Sequence, residues 1–134
     1  MSDLYRELIL EHARHPHNAG TLEDPDISHE EHNPLCGDRV RIDLKVENGI
    51  ITDVRFSGRG CAISQASASL LTDEIKGMPV EQAKRYSKED LLELIGIPLE
   101  KNPVRIKCAL LSLKTLKAGL YGVGSIELDA EDLG

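Results

Sequence analysis

Apolar and polar residues alternate strictly from Val40 to Val46, with Val40, Ile42, Leu44 and Val46 set against Arg41, Asp43 and Lys45. That period of two predicts a strand with one buried face. Asn48-Gly49 breaks the pattern with the residue pair that two-residue type I' turns favour, and Ile50 to Phe56 runs back, so the segment reads as a β-hairpin. Elsewhere the repeat is helical. Leu4 to Arg14 predicts a first amphipathic helix, with Leu4, Leu8 and Ala13 near one side and Tyr5, Ile9 and His12 beside them, stopping before Pro16. From His15 to Pro34 three prolines, a glycine and a run of acids predict mostly connector, within which Ile27 to Asn33 can add an edge strand.

Cys61 to Lys76 predicts a helix closed by Gly77, and its early turns carry the small residues Ala62, Ser64, Ala66, Ser67, Ala68 and Ser69, which permit close backbone approach. Pro79 is placed to open a short helix. Ser87-Lys88-Glu89-Asp90 resembles a capping box for another, running through Leu94. After a connector from Ile95 to Pro103, Ile106, Ala109, Leu113, Leu116 and Leu120 form an apolar stripe on a last strong helix. Residues 125–134 predict a mobile acidic tail with Glu127, Asp129, Glu131 and Asp132, and with no internal repeat the 134 residues read as a single domain.

Composition narrows the functions open to such a chain. Sixteen basic against twenty-three acidic residues give a net charge of −7, which opposes attraction to a phosphate backbone. With no Trp, one Phe and three Tyr there is also no aromatic platform for stacking bases, so nucleic acid is not an expected partner. No stretch has the length and apolarity to cross a bilayer, and no basic segment followed by an apolar run opens the chain. A cytoplasmic, reducing location is therefore expected, in which cysteines stay thiols.

Three cysteines then carry the chemistry. Cys36 lies in Cys36-Gly37-Asp38, Cys61 follows Gly58-Arg59-Gly60, and Cys108 follows Arg105-Ile106-Lys107. Their spacing is too wide for the paired ligands of a zinc finger and unlike a Cys-x-x-Cys redox motif. Only folding can unite them. The hairpin brings its two flanks, and with them Cys36 and Cys61, to one end of the sheet. An odd number of thiols with Asp38 close to the first suggests a metal site of three sulfurs and one oxygen rather than a disulfide framework. Cys61 is expected near a helix start, where unpaired N–H groups and the helix dipole favour a thiolate. Cys108, about 200° around the helix from Ile106, is expected off the buried stripe. Arg59, Arg105 and Lys107 would add positive potential around the thiols.

Plainer readings stand beside these. A lone cytosolic cysteine is commonly a small buried hydrophobe. Asp38 serves equally as a turn residue, Gly58 and Gly60 fit any tight strand-to-helix connection, and Lys107 fits a solvated helix face. His12, His15, His17, His29 and His32 suit surface or capping positions better than ligation, His32 being the reserve ligand nearest to Cys36.

Taken in order, Tyr5 to Gly20 with His12, Pro16, Asn18 and Gly20, then Asn33-Pro34-Leu35-Cys36-Gly37-Asp38, Gly58-Arg59-Gly60-Cys61 with Ser64 to Ser69, and Arg105-Ile106-Lys107-Cys108-Ala109-Leu110 resemble the IscU/SufU/NifU amino-terminal family of iron-sulfur cluster assembly scaffolds. The resemblance covers nearly the whole chain to about Leu120. It implies an α+β fold in which a small antiparallel sheet of about three strands packs against several helices. It also implies a surface site of Cys36, Asp38, Cys61 and Cys108 that holds metal, with Cys36 and Cys108 as candidate sulfur acceptors. The expected activity is to accept sulfur from a cysteine desulfurase and to build a transient [2Fe-2S] cluster from Fe2+ for transfer to apo iron-sulfur acceptor proteins, Asp38 being the labile ligand.

Two departures bear on that expectation. Lys107 stands where the IscU pattern has histidine, as in the SufU branch, although the extra SufU segment between the second and third cysteines is absent or much reduced. The Leu-Pro-Pro-Val-Lys chaperone-recognition motif is reduced to Pro103-Val104, which weighs against an Hsp70-type partner. The alternatives are a zinc-dependent sulfurtransferase that relays sulfur on Zn2+ without building a cluster, and an adaptor in which zinc is purely structural.

Overall fold

The structure, a computed structural model, describes residues 3–33, 37–96 and 103–121. Its elements in order are α1 (Asp3–Arg14), β1 (Ile27–Asn33), β2 (Asp38–Glu47), β3 (Ile50–Arg59), α2 (Ala62–Ile75), α3 (Val80–Lys84), α4 (Lys88–Ile95) and α5 (Pro103–Tyr121). The acidic tail and most of the connector after α4 lie outside the described residues.

The hairpin forms as its alternation predicts. Val40, Ile42 and Leu44 are buried, and Asn48 and Gly49 both have positive φ (53° and 77°), the combination that a type I' turn needs. Glu47 pairs with Ile50, and a bulge between Lys45 and Val46 absorbs one residue before Arg39 meets Arg59 at the far end. The edge strand is also present. β1 runs antiparallel to β2 from Ile27↔Leu44 to Asn33↔Asp38, giving the sheet order β1-β2-β3.

The segment predicted as plain connector does more than connect. Gly20 N–H donates to Phe56 O and Phe56 N–H donates to Asn18 O, so this stretch covers part of the open edge of β3. On the sheet face away from the helices, Asp43 is 1% exposed and accepts from Ser28 Oγ, Arg41 Nε and the Leu22 N–H. Burial alone would raise its pKa, but those hydrogen bonds and the Arg41 charge hold it below the usual carboxylate range.

Helices cover the other face. α5 packs on β1 and β2 and also against α2, α3 and α4, while α2 packs on β3 and α1. That placement corrects the expected stripe on α5. Buried residues include Cys108, Ala109, Leu110, Leu111, Ser112, Leu113, Thr115, Leu116 and Leu120, which surround the helix axis. A helix enclosed by a sheet and three other helices has no single buried side. α4 opens on the predicted capping box, with Asp90 N–H donating to Ser87 Oγ and Ser87 N–H donating to Asp90 Oδ2, both 3.0 Å, although the helix extends to Ile95.

On α1 the buried side is that of Ile9 and His12, whereas Leu8 is exposed, and a surface position for His12 is overturned with it. His12 Nδ1 lies 2.7 Å from Ser69 Oγ on α2, and the same hydroxyl accepts from the His17 N–H. Burial pushes the His12 pKa below its ordinary 6.5; His17 adds to the shift, and Asp73 and Glu11 oppose it. The unfolded chain therefore takes up this proton first as pH falls. His12 should contribute stability that is complete above about pH 6.5 and lost below it. Denaturant unfolding at several pH values between 5.5 and 7.5 checks this: His12→Gln is expected to lose part of the wild-type slope, and an unchanged slope would refute it.

Candidate functional site

β2 begins with Asp38, β3 ends one residue before Gly60-Cys61, and antiparallel pairing sets these ends side by side through Arg39↔Arg59. Cys61 is the N-cap of α2, in an extended conformation and without a side-chain cap bond. α5, packed on α2, brings Cys108 to the same place. One ligand atom from each of Asp38, Cys61 and Cys108 falls within 4.8 Å of the others. Two donors held tetrahedrally on one ion with bonds of ~2.3 Å stand ~3.8 Å apart, so the three groups need to close by only about 1 Å to share a single metal. Two thiols and a carboxylate also suit iron or zinc in kind.

Burial within the trio is uneven. Asp38 and Cys108 are each 3% exposed, whereas Cys61 is exposed. The expectation that Cys108 faces away from the packed side of its helix is therefore corrected. Solvent reaches the group from Cys61. The Cys61 thiol donates to Asp38 Oδ2 at 3.6 Å. Cys36 lies outside the described residues, and its neighbour Gly37 leads directly into Asp38.

The flanking glycines have specific reasons to be glycine. A Cβ on Gly58, whose φ is +129°, would stand 2.1 Å from the Arg39 carbonyl oxygen. A Cβ on Gly60 would stand 2.8 Å from Ser64 Oγ and 3.0 Å from Asp38 Cγ. Gly60 thus leaves open the space between Asp38 and the first turn of α2. Ser64 is 1% exposed and its Oγ has no hydrogen-bond partner among the described residues. Sequence reasoning treated Ser64 only as a small residue; its place one helical turn after Cys61 was the available signal.

Arg59 does not simply raise the potential at the thiols. With His32, Asn33, Gly37 and Arg39 it lines a neighbouring cleft of about 370 Å³, where Arg39 Nε pairs with Glu30 at 3.0 Å. His32, the reserve ligand, is on that cleft and not in the metal-capable group found among the described residues. Lys107 is exposed. No described helix is long and apolar enough to cross a membrane.

Known proteins share both sequence and fold with this chain. The family described as NifU-like N terminal domain matches residues 4–127. The chain belongs to that family. Among NifU-like relatives, it is 40% identical to the zinc-dependent sulfurtransferase SufU of Bacillus subtilis, over 90% of this chain and 91% of that one. It is 37% identical to the iron-sulfur cluster assembly scaffold protein IscU of Thermotoga maritima, over 87% and 92% respectively. A solved structure from Fervidobacterium islandicum, described as a candidate scaffold for the SUF system, superposes with a TM-score of 0.76 at 27% identity, covering 90% of this chain and 99% of that one. The three-stranded antiparallel sheet under several helices is therefore the NifU-like arrangement, as the resemblance implied.

Proposed function

We propose that this NifU-like chain is a scaffold on which an iron-sulfur cluster is assembled, from iron and from sulfur supplied by a cysteine desulfurase, before transfer to apo acceptors. The observation that carries the reading is the convergence of Asp38, Cys61 and Cys108 from three separate elements. Cys36, two positions before Asp38 in the chain, is the fourth ligand of the proposal. Three thiolates and one carboxylate hold such cargo less firmly than the four thiolates of a permanent centre, which suits a site that must give the cluster away.

Sulfur arrives by thiol chemistry that the chain itself provides. A thiolate attacks the outer sulfur of the desulfurase persulfide; a new S–S bond forms, the donor's S–S bond breaks, and the donor cysteine leaves as a thiolate. Of the two described thiols, Cys61 is open to that approach and Cys108 is covered. The positive end of α2 at Cys61 favours negative charge there. Asp38, held at the start of β2, supplies the oxygen donor.

The second reading is zinc-dependent sulfur transfer, favoured by the similarity to SufU and by Lys107 in place of histidine. Zinc would be held by the same four residues and would order them around the acceptor thiol. One experiment separates the readings. Protein kept free of oxygen is incubated with a desulfurase, cysteine, ferrous iron and a one-electron donor such as a reduced ferredoxin, which takes persulfide sulfur to sulfide, then assayed for iron, zinc and acid-labile sulfide. The scaffold reading expects iron and sulfide in equal amounts with a visible chromophore. Persulfide on a zinc-loaded protein without sulfide selects transfer, and failure to retain either sulfur or metal overturns both.

A further inference from the structure

Among the described residues Asp38 and Ser64 each lack a strong partner, and they face the same gap. The Asp38 carboxylate is 3% exposed, and the partner it has is the Cys61 thiol, a weak donor at 3.6 Å. A carboxylate so enclosed gains from a better hydrogen bond. Ser64 Oγ is equally enclosed and has no partner. It stands 2.8 Å, and Asp38 Cγ 3.0 Å, from the point where a Gly60 side chain would begin. A donor without an acceptor and an acceptor without a good donor thus share the space that Gly60 leaves empty.

We propose that Ser64 is a positioning residue: its hydroxyl receives the Asp38 carboxylate when that carboxylate is off the metal. The inference rests on the reading of Asp38, Cys61 and Cys108 as a metal-holding group. Asp38 then has two states of comparable satisfaction. In one it is a ligand, and in the other it accepts the Ser64 O–H across the gap, so the oxygen ligand departs without being left buried and unpaired. Gly60 is required because any Cβ would block that path. Ser64 bonds no metal itself and acts only through Asp38.

The test follows release of cobalt(II) to a chelator, read through the thiolate-to-cobalt absorption, in the wild-type protein, Ser64→Ala, Asp38→Ala and the double variant. Removing one hydrogen bond to a charged group should slow release roughly tenfold in Ser64→Ala. In the Asp38→Ala background the same change should do nothing, because the hydroxyl no longer has a carboxylate to receive. A merely structural Ser64 would shift both backgrounds alike, and that result, or an unchanged rate in Ser64→Ala, overturns the proposal while leaving the metal reading intact. Failure of the wild-type protein to bind cobalt at all overturns the metal reading and this inference together.

Discussion

Gly58→Ala is expected to destabilise the fold by about 2–6 kcal/mol, the sum of an overpacking cost of ~1–3 kcal/mol and a backbone-strain cost of ~1–3 kcal/mol. The added methyl would lie 2.1 Å from the Arg39 carbonyl oxygen and 2.9 Å from its carbonyl carbon, on a residue whose φ is +129°. Those atoms belong to the neighbouring strand, so relief requires β2 and β3 to part where Val40 pairs with Gly58. Set against a total stability of ~5–15 kcal/mol, the loss is large. Thermal unfolding should show a midpoint lowered by roughly 10 °C or more. Gly77→Ala is the comparison: Gly77 also has positive φ (88°) but has nothing within 4 Å of its missing Cβ, so only the conformational part applies. Equal effects at the two positions would show that contact with Arg39 is unimportant. Because β2 begins at Asp38 and β3 leads through Gly60 into Cys61 at these same ends, metal affinity should fall with stability in Gly58→Ala.

Cys108→Ser is expected to lower zinc or cobalt affinity by more than ~100-fold, beyond the 10–100-fold that loss of a supporting contact around a metal costs. Serine nearly matches cysteine in size, so the packing of α5 should be largely kept. It replaces a soft sulfur donor with a hydroxyl that is a poor ligand for these metals. Titration calorimetry of the oxygen-free apo protein measures the change, and denaturant unfolding of the apo variant checks that the fold persists. An affinity within a few-fold of the wild type would remove Cys108 from the site and leave it as one more small residue in the core, which its 3% exposure would equally suit.

Much of the architecture was legible along the chain because its signals are local. Alternation from Val40, an Asn-Gly pair and the Ser87-Asp90 box each act over a few residues, and all three form as read. The candidate site was legible in part for a related reason: the hairpin cancels sequence distance, so residues flanking it must meet. What could not be read was how each helix is surrounded. The α1 pattern sets Leu4, Leu8 and Ala13 beside Tyr5, Ile9 and His12 without choosing between them; packing on α2 buries Ile9 and His12 and leaves Leu8 exposed. Assigning α5 a stripe placed Cys108 outside it, although a helix packed on all sides buries residues off the stripe as well.

By itself the sequence determined most of the elements, the hairpin turn and the α4 cap, and the family resemblance, since propensity, periodicity and residue type need no knowledge of distant neighbours. The tertiary structure decided which thiol is open and which is covered, that Asp38 is enclosed against Cys61, and that Ser64 and Asp38 face one gap beside Gly60. These depend on how β2, α2 and α5 pack in three dimensions, and burial and proximity are properties of that packing rather than of any segment within it.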